Sequence, residues 1–277
     1  KWKMGTSELT TAEITFDGAL AYPVGPLDRG LANVVGIVLT CSRLTVGLSA
    51  SAFMTRAVRE AKGYAAFRKA FGLPIGNFPL LKGQIDAMDQ AARRSTAGAF
   101  RVYQDFLQLE GGLKGGWDPS EPEALRRRRF RVRELVMLQK ITASWDAQDV
   151  IRSAMSVFGG HGVMEDFSCL PRLYRDSAVN ELWEGPRNVL LTQIHRDLQK
   201  AAAWYPPAQW VADTLEGHDP VAVRALGAEL EELAAHPDLF QMDDVTLAIC
   251  RQWDDFCHRF SHAYQDLALD EVLTGCG

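Results

Sequence analysis

The sequence predicts a mainly α-helical protein, in which a helical bundle follows a short β remnant and precedes a further helical extension. Three observations carry this prediction. Apolar residues recur at helical spacing over several long segments, a short segment near the N-terminus alternates as a strand does, and the composition changes after Tyr205. With 277 residues, of which 47% are hydrophobic, the chain can bury a sizeable core in one large or two modest domains.

Residues 1–26 are predicted to be the end of a β region and a linker. From Thr11 to Asp17 apolar and polar residues alternate, as in a half-buried strand. A lone strand leaves backbone groups unpaired, so we expect its partner strands to precede Lys1, where the chain begins without an initiator methionine or a signal-like segment. The Pro and Gly of Tyr22 to Pro26 indicate the linker.

Residues 27–204 are predicted to form the bundle, beginning with two long helices. Asp28 can cap the first helix, which we expect to end at Gly72, because glycine readily adopts the left-handed conformation of a helix C-terminus. The second helix is expected from about Phe78 to Leu109, followed by a glycine-rich loop over residues 111–116.

Three further helices complete the predicted bundle. The third opens with a capping box at Ser120–Glu123 and continues to Phe158. A shorter helix carries Arg172 to Leu182, and Gly185-Pro186 begins another, because proline is well tolerated in the first helical turn. The buried stripe of that last helix is predicted to contain Leu190, Leu191, Ile194 and Leu198.

Residues 205–277 are predicted to form an acidic helical extension. The net charge of −5 gives the chain no general attraction to nucleic acid or anionic lipid, and no apolar run suggests a membrane span, so a small-molecule partner is expected. The five scattered cysteines indicate neither a disulfide framework nor a zinc site and fit a reducing, cytoplasmic location.

Glu184, in the segment Trp183-Glu184-Gly185 just before a predicted helix, is the candidate catalytic residue. A carboxylate held against an aromatic wall and shielded from water is a stronger base, although the helix N-terminus behind it favours the anion. The competing interpretation is a stabilising acid near a helix start, which is common in proteins.

Two other motifs could bind phosphate groups, and each also has a structural interpretation. Gly159, Gly160 and Gly162 leave backbone N–H groups open to a dinucleotide, but also suit a helix C-terminus and a tight turn. Arg68, three residues before Phe71, offers a planar guanidinium to a phosphate, or simply complements the dipole of the predicted helix.

The order of these motifs, with Pro171-Arg172-Leu173-Tyr174-Arg175-Asp176 between the glycine loop and Trp183, resembles the C-terminal helical domain of the acyl-CoA dehydrogenases over residues 1–200. The resemblance implies an up-and-down bundle, an acyl-CoA substrate and FAD as cofactor. Glu184 is then the base that removes the α-proton while the β-hydride passes to the flavin. An unnamed electron acceptor and a homodimer or homotetramer are also implied.

The same resemblance assigns the remaining site residues. The FAD contacts it implies are Arg68, Phe71, Ser156, Gly159, Gly160 and Asn188, some of them made across a dimer interface. The acyl-CoA contacts it implies are Arg43, Trp183 and Gly185. The family usually has threonine where this chain has Pro186, and glutamine where it has Ser156 and Asn188. Because the family's flavin rests largely on a β domain, this part alone is expected to lack much of the site.

Two alternatives stay open. The chain also resembles the alkylation-response (AidB-like) branch of the superfamily, flavoproteins associated with DNA, although its acidic extension would repel phosphates. It could instead be a helical assembly module without catalytic function. The run Arg126–Arg129 is predicted to be an ion-paired helix surface. His258 and His262 share a helix face with Asp254, but no zinc motif surrounds them and no metal is expected.

Overall fold

Helices make up almost all the regular structure in residues 1–113 and 117–275, the parts of the chain that this computed structural model describes. Residues 114–116 of the predicted glycine-rich loop and Cys276 lie outside them. Short 3₁₀ turns occupy Ile75–Asn77 and Gly159–Val163. The elements are α1 Leu27–Phe67, β1 Lys69–Ala70, β2 Leu73–Pro74, α2 Pro79–Leu107, α3 Glu123–Phe158, α4 Leu170–Leu182, α5 Arg187–Ala201, α6 Pro207–Thr214, α7 Pro220–Ala235 and α8 Asp244–Thr274. The mainly α prediction is therefore confirmed.

Helix α1 begins irregularly. A 3₁₀ turn at Leu27–Arg29 leads through Gly30–Asn33 into a π-helical segment at Val34–Val38, and regular α-helix begins at Leu39. None of residues 27–38 is buried, and the π segment coincides with a run of β-branched side chains, which crowd the preceding helical turn. Packing against the bundle therefore supports α1 mainly from Thr40 onward.

The same helix is the one segment of the described residues that is long and apolar enough to cross a membrane. An 18-residue window of Leu27–Phe67 has a mean hydropathy of 1.7, and 28% of that window is buried. A core helix of a soluble protein passes the same test, so this single helix is weak evidence for a membrane span.

Helices α1, α2 and α3 pack against one another and enclose two apolar clusters. One cluster includes Met54, Met88 and Ile151, and the other joins Leu44 and Val102 to α5 and to the extension. Residues 134–144 of α3 are buried continuously, so α3 is the central helix of the bundle. The polar side chains within this run must therefore be bound by protein groups.

The extension shares its apolar core with the bundle. Trp253, Phe256 and Phe260 of α8 are buried in the same cluster as Leu44, and Trp210 of α6 stacks on Phe260 with ring centroids 4.6 Å apart. A division of the chain into separate domains at residue 205 therefore stays a prediction.

The predicted strand at Thr11–Asp17 is wrong. These residues are exposed and form no strand in the described chain, where no second strand lies beside them to accept their backbone hydrogen bonds. The preceding residues instead lie against α4, where the Thr6 amide donates to Asp176 Oδ1 at 2.6 Å. The short antiparallel pair of β1 and β2 is far along the chain, at residues 69–74.

Two predicted helix ends also differ. Helix α1 ends at Phe67 rather than Gly72, because the chain turns back through Phe71 and Gly72, both at positive φ, to pair β1 with β2. The capping box at Ser120 is not formed. The Ser120 amide and hydroxyl both donate to Asp118 Oδ1, at 2.9 and 2.6 Å, and α3 begins only after Pro122.

Candidate functional site

The turn between α4 and α5 presents Glu184 in an uncommon backbone conformation. Its φ is +63°, in the left-handed region that residues with a Cβ seldom occupy, and the following Gly185 has a φ of +99°. Such strain persists only where the surrounding structure imposes it, and it concentrates at functional sites.

Helix α1 holds this turn from one side through two consecutive residues. The Ser42 hydroxyl donates to Glu184 Oε1, and Arg43 Nε donates to the Glu184 carbonyl oxygen at 2.9 Å. Glu184 Oε2 is shielded from solvent and has no hydrogen-bond partner among the described residues. Ser42 therefore anchors one carboxylate oxygen of Glu184, while the other makes no hydrogen bond within the described residues.

Helix α3 holds the turn from another side through Lys140, whose side chain is fully buried. Lys140 Nζ donates to the carbonyl oxygens of Gly185 at 2.8 Å and Glu181 at 3.2 Å. Burial lowers the pKa of Lys140 to about 8, with Arg43 adding to the lowering and the Glu184 and Glu181 carboxylates opposing it. Burial likewise lowers the pKa of Arg43.

The predicted substrate residues lie together around this turn. Trp183 is 38% exposed, Gly185 follows the carboxylate, and Arg43 binds its backbone. Arg43 also lines a cavity of about 510 Å³ between the N-terminal half of α1 and helix α3, and Arg29 and Arg133 line it as well. This cavity is mostly apolar with a cationic border, which suits a ligand that is both acyl and anionic.

The predicted cofactor residues divide into three places. Arg68, Ser156, Gly159 and Gly160 line a single open cavity of about 390 Å³, together with His161 and other residues. A Cβ at Gly159 or Gly160 would meet nothing within 4 Å, so the backbone there is open to a ligand. Arg68 is exposed, and its guanidinium makes no ion pair within the described residues, so these groups fit a phosphate-bearing cofactor.

The other two cofactor candidates lie elsewhere. Phe71 is 98% exposed at the tip of the β1–β2 hairpin, with its ring edge-on to Phe78. Asn188 lines a separate cavity of about 480 Å³ beside Trp145, Trp253 and Arg187. Within one chain the structure therefore does not bring Phe71 or Asn188 to the cavity that contains Arg68.

Sequence reasoning missed Ser42 and Lys140. Ser42 is 142 residues from Glu184 in the chain, and no local pattern predicts that contact. Lys140 did leave a signal in the sequence, because it lies between the apolar run Leu135–Leu138 and Ile141 in a predicted core helix. A buried lysine requires specific partners and is therefore a candidate for a site.

The histidine cluster of α8 differs from its predicted form. Asp254 pairs instead with Arg187, at 2.7 Å, and Asp146 of α3 joins the histidines, so that ligand atoms of Asp146, His258 and His262 lie within 4.8 Å of one another. Arg94 Nη2 is 3.0 Å from His262 Nε2, and such a guanidinium opposes a metal ion. The absence of a metal stays a prediction.

The arginine run of α3 is engaged within the protein. Arg127 and Arg129 pair with Glu123 and Glu121 at 2.5 and 2.7 Å, and the Arg126 guanidinium lies 4.1 Å from the centre of the Trp204 ring. Further along α3, Arg131 and Arg133 pair with acidic side chains of the extension and of α5. These contacts favour the ion-paired interpretation of the run.

The fold and the site define a class of protein: a helical bundle that presents one carboxylate from a strained turn and carries a separate cavity suited to phosphate groups. Residues 28–199 match the family model described as the acyl-CoA dehydrogenase C-terminal domain, and the chain belongs to the acyl-CoA dehydrogenase family.

Two curated relatives support this assignment. The chain is 31% identical over 196 residues to acyl-CoA dehydrogenase family member 11 of Caenorhabditis elegans, covering 71% of this chain and 30% of that protein. It is 29% identical over 239 residues to the putative acyl-CoA dehydrogenase AidB of Escherichia coli, covering 84% of this chain and 41% of that protein. The chain thus spans less than half the length of either relative.

Solved structures show the same fold. Caenorhabditis elegans ACDH-11 in complex with C11-CoA has a TM-score of 0.66 at 22% identity, covering 97% of this chain and 48% of that chain. A Bacillus anthracis acyl-CoA dehydrogenase complexed with FAD has a TM-score of 0.66 at 18% identity, and the match covers 87% of this chain and 44% of that chain. At these identities the likeness establishes the fold alone.

Proposed function

We propose that this chain contributes the catalytic base and part of the FAD site to an acyl-CoA dehydrogenase that forms a double bond between the α- and β-carbons of an acyl-CoA thioester. The observation that carries the proposal is the Glu184 turn, where Ser42 binds one carboxylate oxygen and the other has no partner in the part of the chain that the structure describes. A base held in this way is oriented before the substrate arrives, so the protein does not have to reorganise during the reaction.

In this proposal Glu184 accepts the α-proton of the thioester. The electron pair of the broken α-carbon–hydrogen bond becomes the new double bond, and the β-carbon gives up its hydrogen as a hydride. FAD, when bound, supplies the two-electron acceptor for that hydride. Arg43 keeps the base in place through its carbonyl oxygen, and the apolar cavity that Arg43 also lines would take the acyl-CoA.

The separation of the two candidate regions supports a homo-oligomeric site. Arg43 and Arg68 lie near opposite ends of the regular part of α1, which at about 1.5 Å per residue separates them by about 37 Å. The cavity containing Arg68 would therefore serve the FAD of a partner subunit. A complete protein that sediments as a monomer while binding FAD would contradict this arrangement.

The test of the proposed reaction uses the complete protein with FAD bound and acyl-CoA thioesters added without oxygen. We expect loss of the oxidised flavin absorbance with a preferred thioester, and a rate of flavin reduction at least about 100-fold lower for Glu184→Gln, as is typical of removing a general base. Glu60→Gln, a change at an exposed ion pair on α1, is the matched control and should reduce at the normal rate. Equal rates in both variants would exclude Glu184 as the base.

One observation keeps an AidB-like function as a second candidate. The match to AidB covers 84% of this chain and therefore reaches into the extension. Against DNA binding, the arginine run is engaged in internal ion pairs and the surface of the extension is acidic. DNA binding that weakens steeply with added salt, combined with flavin that no thioester reduces, would favour this candidate.

A further inference from the structure

The turn that carries Glu184 is held through three backbone carbonyl groups, those of Glu181, Glu184 and Gly185. Lys140 binds the carbonyl oxygens of Glu181 and Gly185, which lie on either side of Glu184, and Arg43 binds the carbonyl oxygen of Glu184 itself. Two cationic side chains, Arg43 of α1 and Lys140 of α3, therefore bind the backbone around the single carboxylate of Glu184.

These contacts supply what the local sequence does not. Glu184 has a φ of +63°, which a residue with a side chain adopts only when other contacts enforce it. The carbonyl of Glu181 belongs to the last turn of α4, where carbonyl groups lack helical partners and the helix dipole favours a positive charge. One turn along α3 from Lys140, the Ser144 hydroxyl donates to the neighbouring Asn180 carbonyl oxygen at 3.3 Å.

The burial of Lys140 makes the arrangement unusual for a merely structural contact. An apolar side chain of similar length would fill the same space without the cost of removing a charge from water. The ammonium group bonds only to backbone oxygens among the described residues, and the carboxylates of Glu181 and Glu184 act on it through space. The charge is thus directed at the backbone of the turn.

We propose that Lys140 is a positioning residue for the candidate base, fixing the left-handed turn at Glu184 by bridging the carbonyl oxygens of Glu181 and Gly185. The effect of Lys140 on catalysis rests on the proposed function, but its effect on the conformation of the turn can be measured without any catalytic turnover. Lys140 touches neither substrate nor cofactor in this role and acts only through Glu184.

The titration of Lys140 gives the role a pH dependence. Its pKa of about 8 means that the ammonium form predominates below that pH and the neutral amine above it. The charged groups that face it are Arg43 of α1 and the carboxylates of Glu181 and Glu184. Because a hydrogen bond from a charged donor is stronger than one from a neutral amine, the turn should loosen as the pH rises through about 8.

The first experiment measures amide hydrogen exchange over residues 182–189 in the complete protein, comparing Lys140→Met with the wild type. We expect exchange in this segment about tenfold faster or more in the variant, the effect of losing hydrogen bonds to a charged group, with α2 and α8 unchanged. Lys62→Met, which removes an exposed lysine paired with Asp89, is the matched control and should leave the segment unaffected. Unchanged exchange in Lys140→Met would overturn the proposal.

Two further measurements keep the result decisive. If Lys140→Met does not fold, the protection of the same segment in the wild type is compared at about pH 7 and about pH 9, on either side of the Lys140 pKa of about 8, after correction for intrinsic exchange. Constant protection at the two pH values would then count against the positioning role of Lys140.

In the FAD-loaded protein, Lys140→Met should slow flavin reduction while leaving acyl-CoA affinity within about threefold, since a positioning residue changes the chemical step.

The failure of this proposal is distinguishable from failure of the proposed function. If Glu184→Gln reduces flavin normally, the assignment of the base is wrong, but the exchange result still decides whether Lys140 holds the turn. If Glu184→Gln is inactive and Lys140→Met shows neither faster exchange nor slower reduction, the base stands and the positioning role is rejected.

Discussion

At the scale of single residues, the site depends on backbone conformation as much as on side-chain chemistry. Glu184 can present a carboxylate from its turn because Gly185 follows it with a φ of +99° and leaves room for the buried Leu190. The glycine is therefore required by geometry at this position, independently of any contact with a ligand.

Replacing Gly185 with alanine is expected to destabilise the protein by about 1 to 3 kcal/mol, the usual cost of a residue held in a disfavoured conformation. The added Cβ would lie 2.9 Å from Leu190 Cδ2 and 3.2 Å from its Cγ, so the buried leucine would have to move. Equilibrium unfolding in urea measures the change. Gly63→Ala, at an open helical position of α1, is the control and should be neutral or stabilising.

A second residue-scale prediction concerns Glu134, which is fully buried beside Arg133. Burial raises its pKa well above the usual 4.5, and Asp197 adds to this, while Arg133 and Arg43 oppose it. The native state therefore holds this proton more tightly than the unfolded state, and stability falls as the pH rises above the unfolded-state pKa. Glu134→Gln, neutral at every pH, should gain stability relative to the wild type as the pH rises.

Urea unfolding at about pH 5 and about pH 8 tests this difference. The exposed Glu123, which pairs with Arg127, provides the control, since Glu123→Gln should show no gain that grows with pH. A Glu134→Gln variant that is less stable than the wild type at the higher pH would mean that the ionised carboxylate is well paired.

At the scale of elements, α3 organises the molecule. Its continuously buried middle section supplies Lys140 to the turn at Glu184. Its two ends carry the ion-paired arginines and Ser156, which lines the same cavity as Arg68. Helix α1 links the same two regions from the other side, through Arg43 within it and Arg68 directly after its end. Shifts along either helix would therefore affect both candidate regions.

Helix α7 provides an element-scale prediction about its N-terminus. The Asp219 carboxylate accepts from the amides of Val221 and Ala222, at 3.1 and 3.3 Å, and Pro220 follows it in the first turn. Asp219→Ala should cost about 1 kcal/mol in the free energy of unfolding, whereas Asp219→Asn retains the acceptor and should stay close to the wild type. Equal losses in the two variants would show that capping is not the cause.

At the scale of the whole molecule, the extension completes the apolar core. Trp253 is buried and donates from Nε1 to the Leu191 carbonyl oxygen at 3.0 Å, and Arg187 of α5 pairs with Asp254 of α8. The extension is therefore attached beside the helix that follows the Glu184 turn, rather than joined only through residue 205.

Removal of residues 205–277 tests the predicted domain boundary. We expect the truncated chain to aggregate or to lose cooperative unfolding, because Leu190, Leu191 and Leu44 would be left without the aromatic residues that cover them. Size-exclusion chromatography and urea unfolding measure the outcome. A soluble, cooperatively folding truncated chain would instead support residue 205 as a true domain boundary.

The sequence predicted the long helices well because a helix is a local structure, whose apolar period can be read within a few turns. It failed at Thr11–Asp17, where alternation is local but a strand also needs a partner. It failed at Ser120 because Asp118, two residues away, competes for the same groups.

The sequence by itself determined the helical class, the order of the site motifs and the choice of Glu184 as the candidate base. Only the tertiary structure decided which residues hold that base and which cofactor candidates share a cavity. Ser42, Arg43 and Lys140 reach the turn from 142, 141 and 45 residues away along the chain, counting each to the residue it binds. The physical reason is that such contacts depend on how the helices pack against one another. The free energy of that packing is contributed by side chains throughout the core, so no short segment of sequence reveals it.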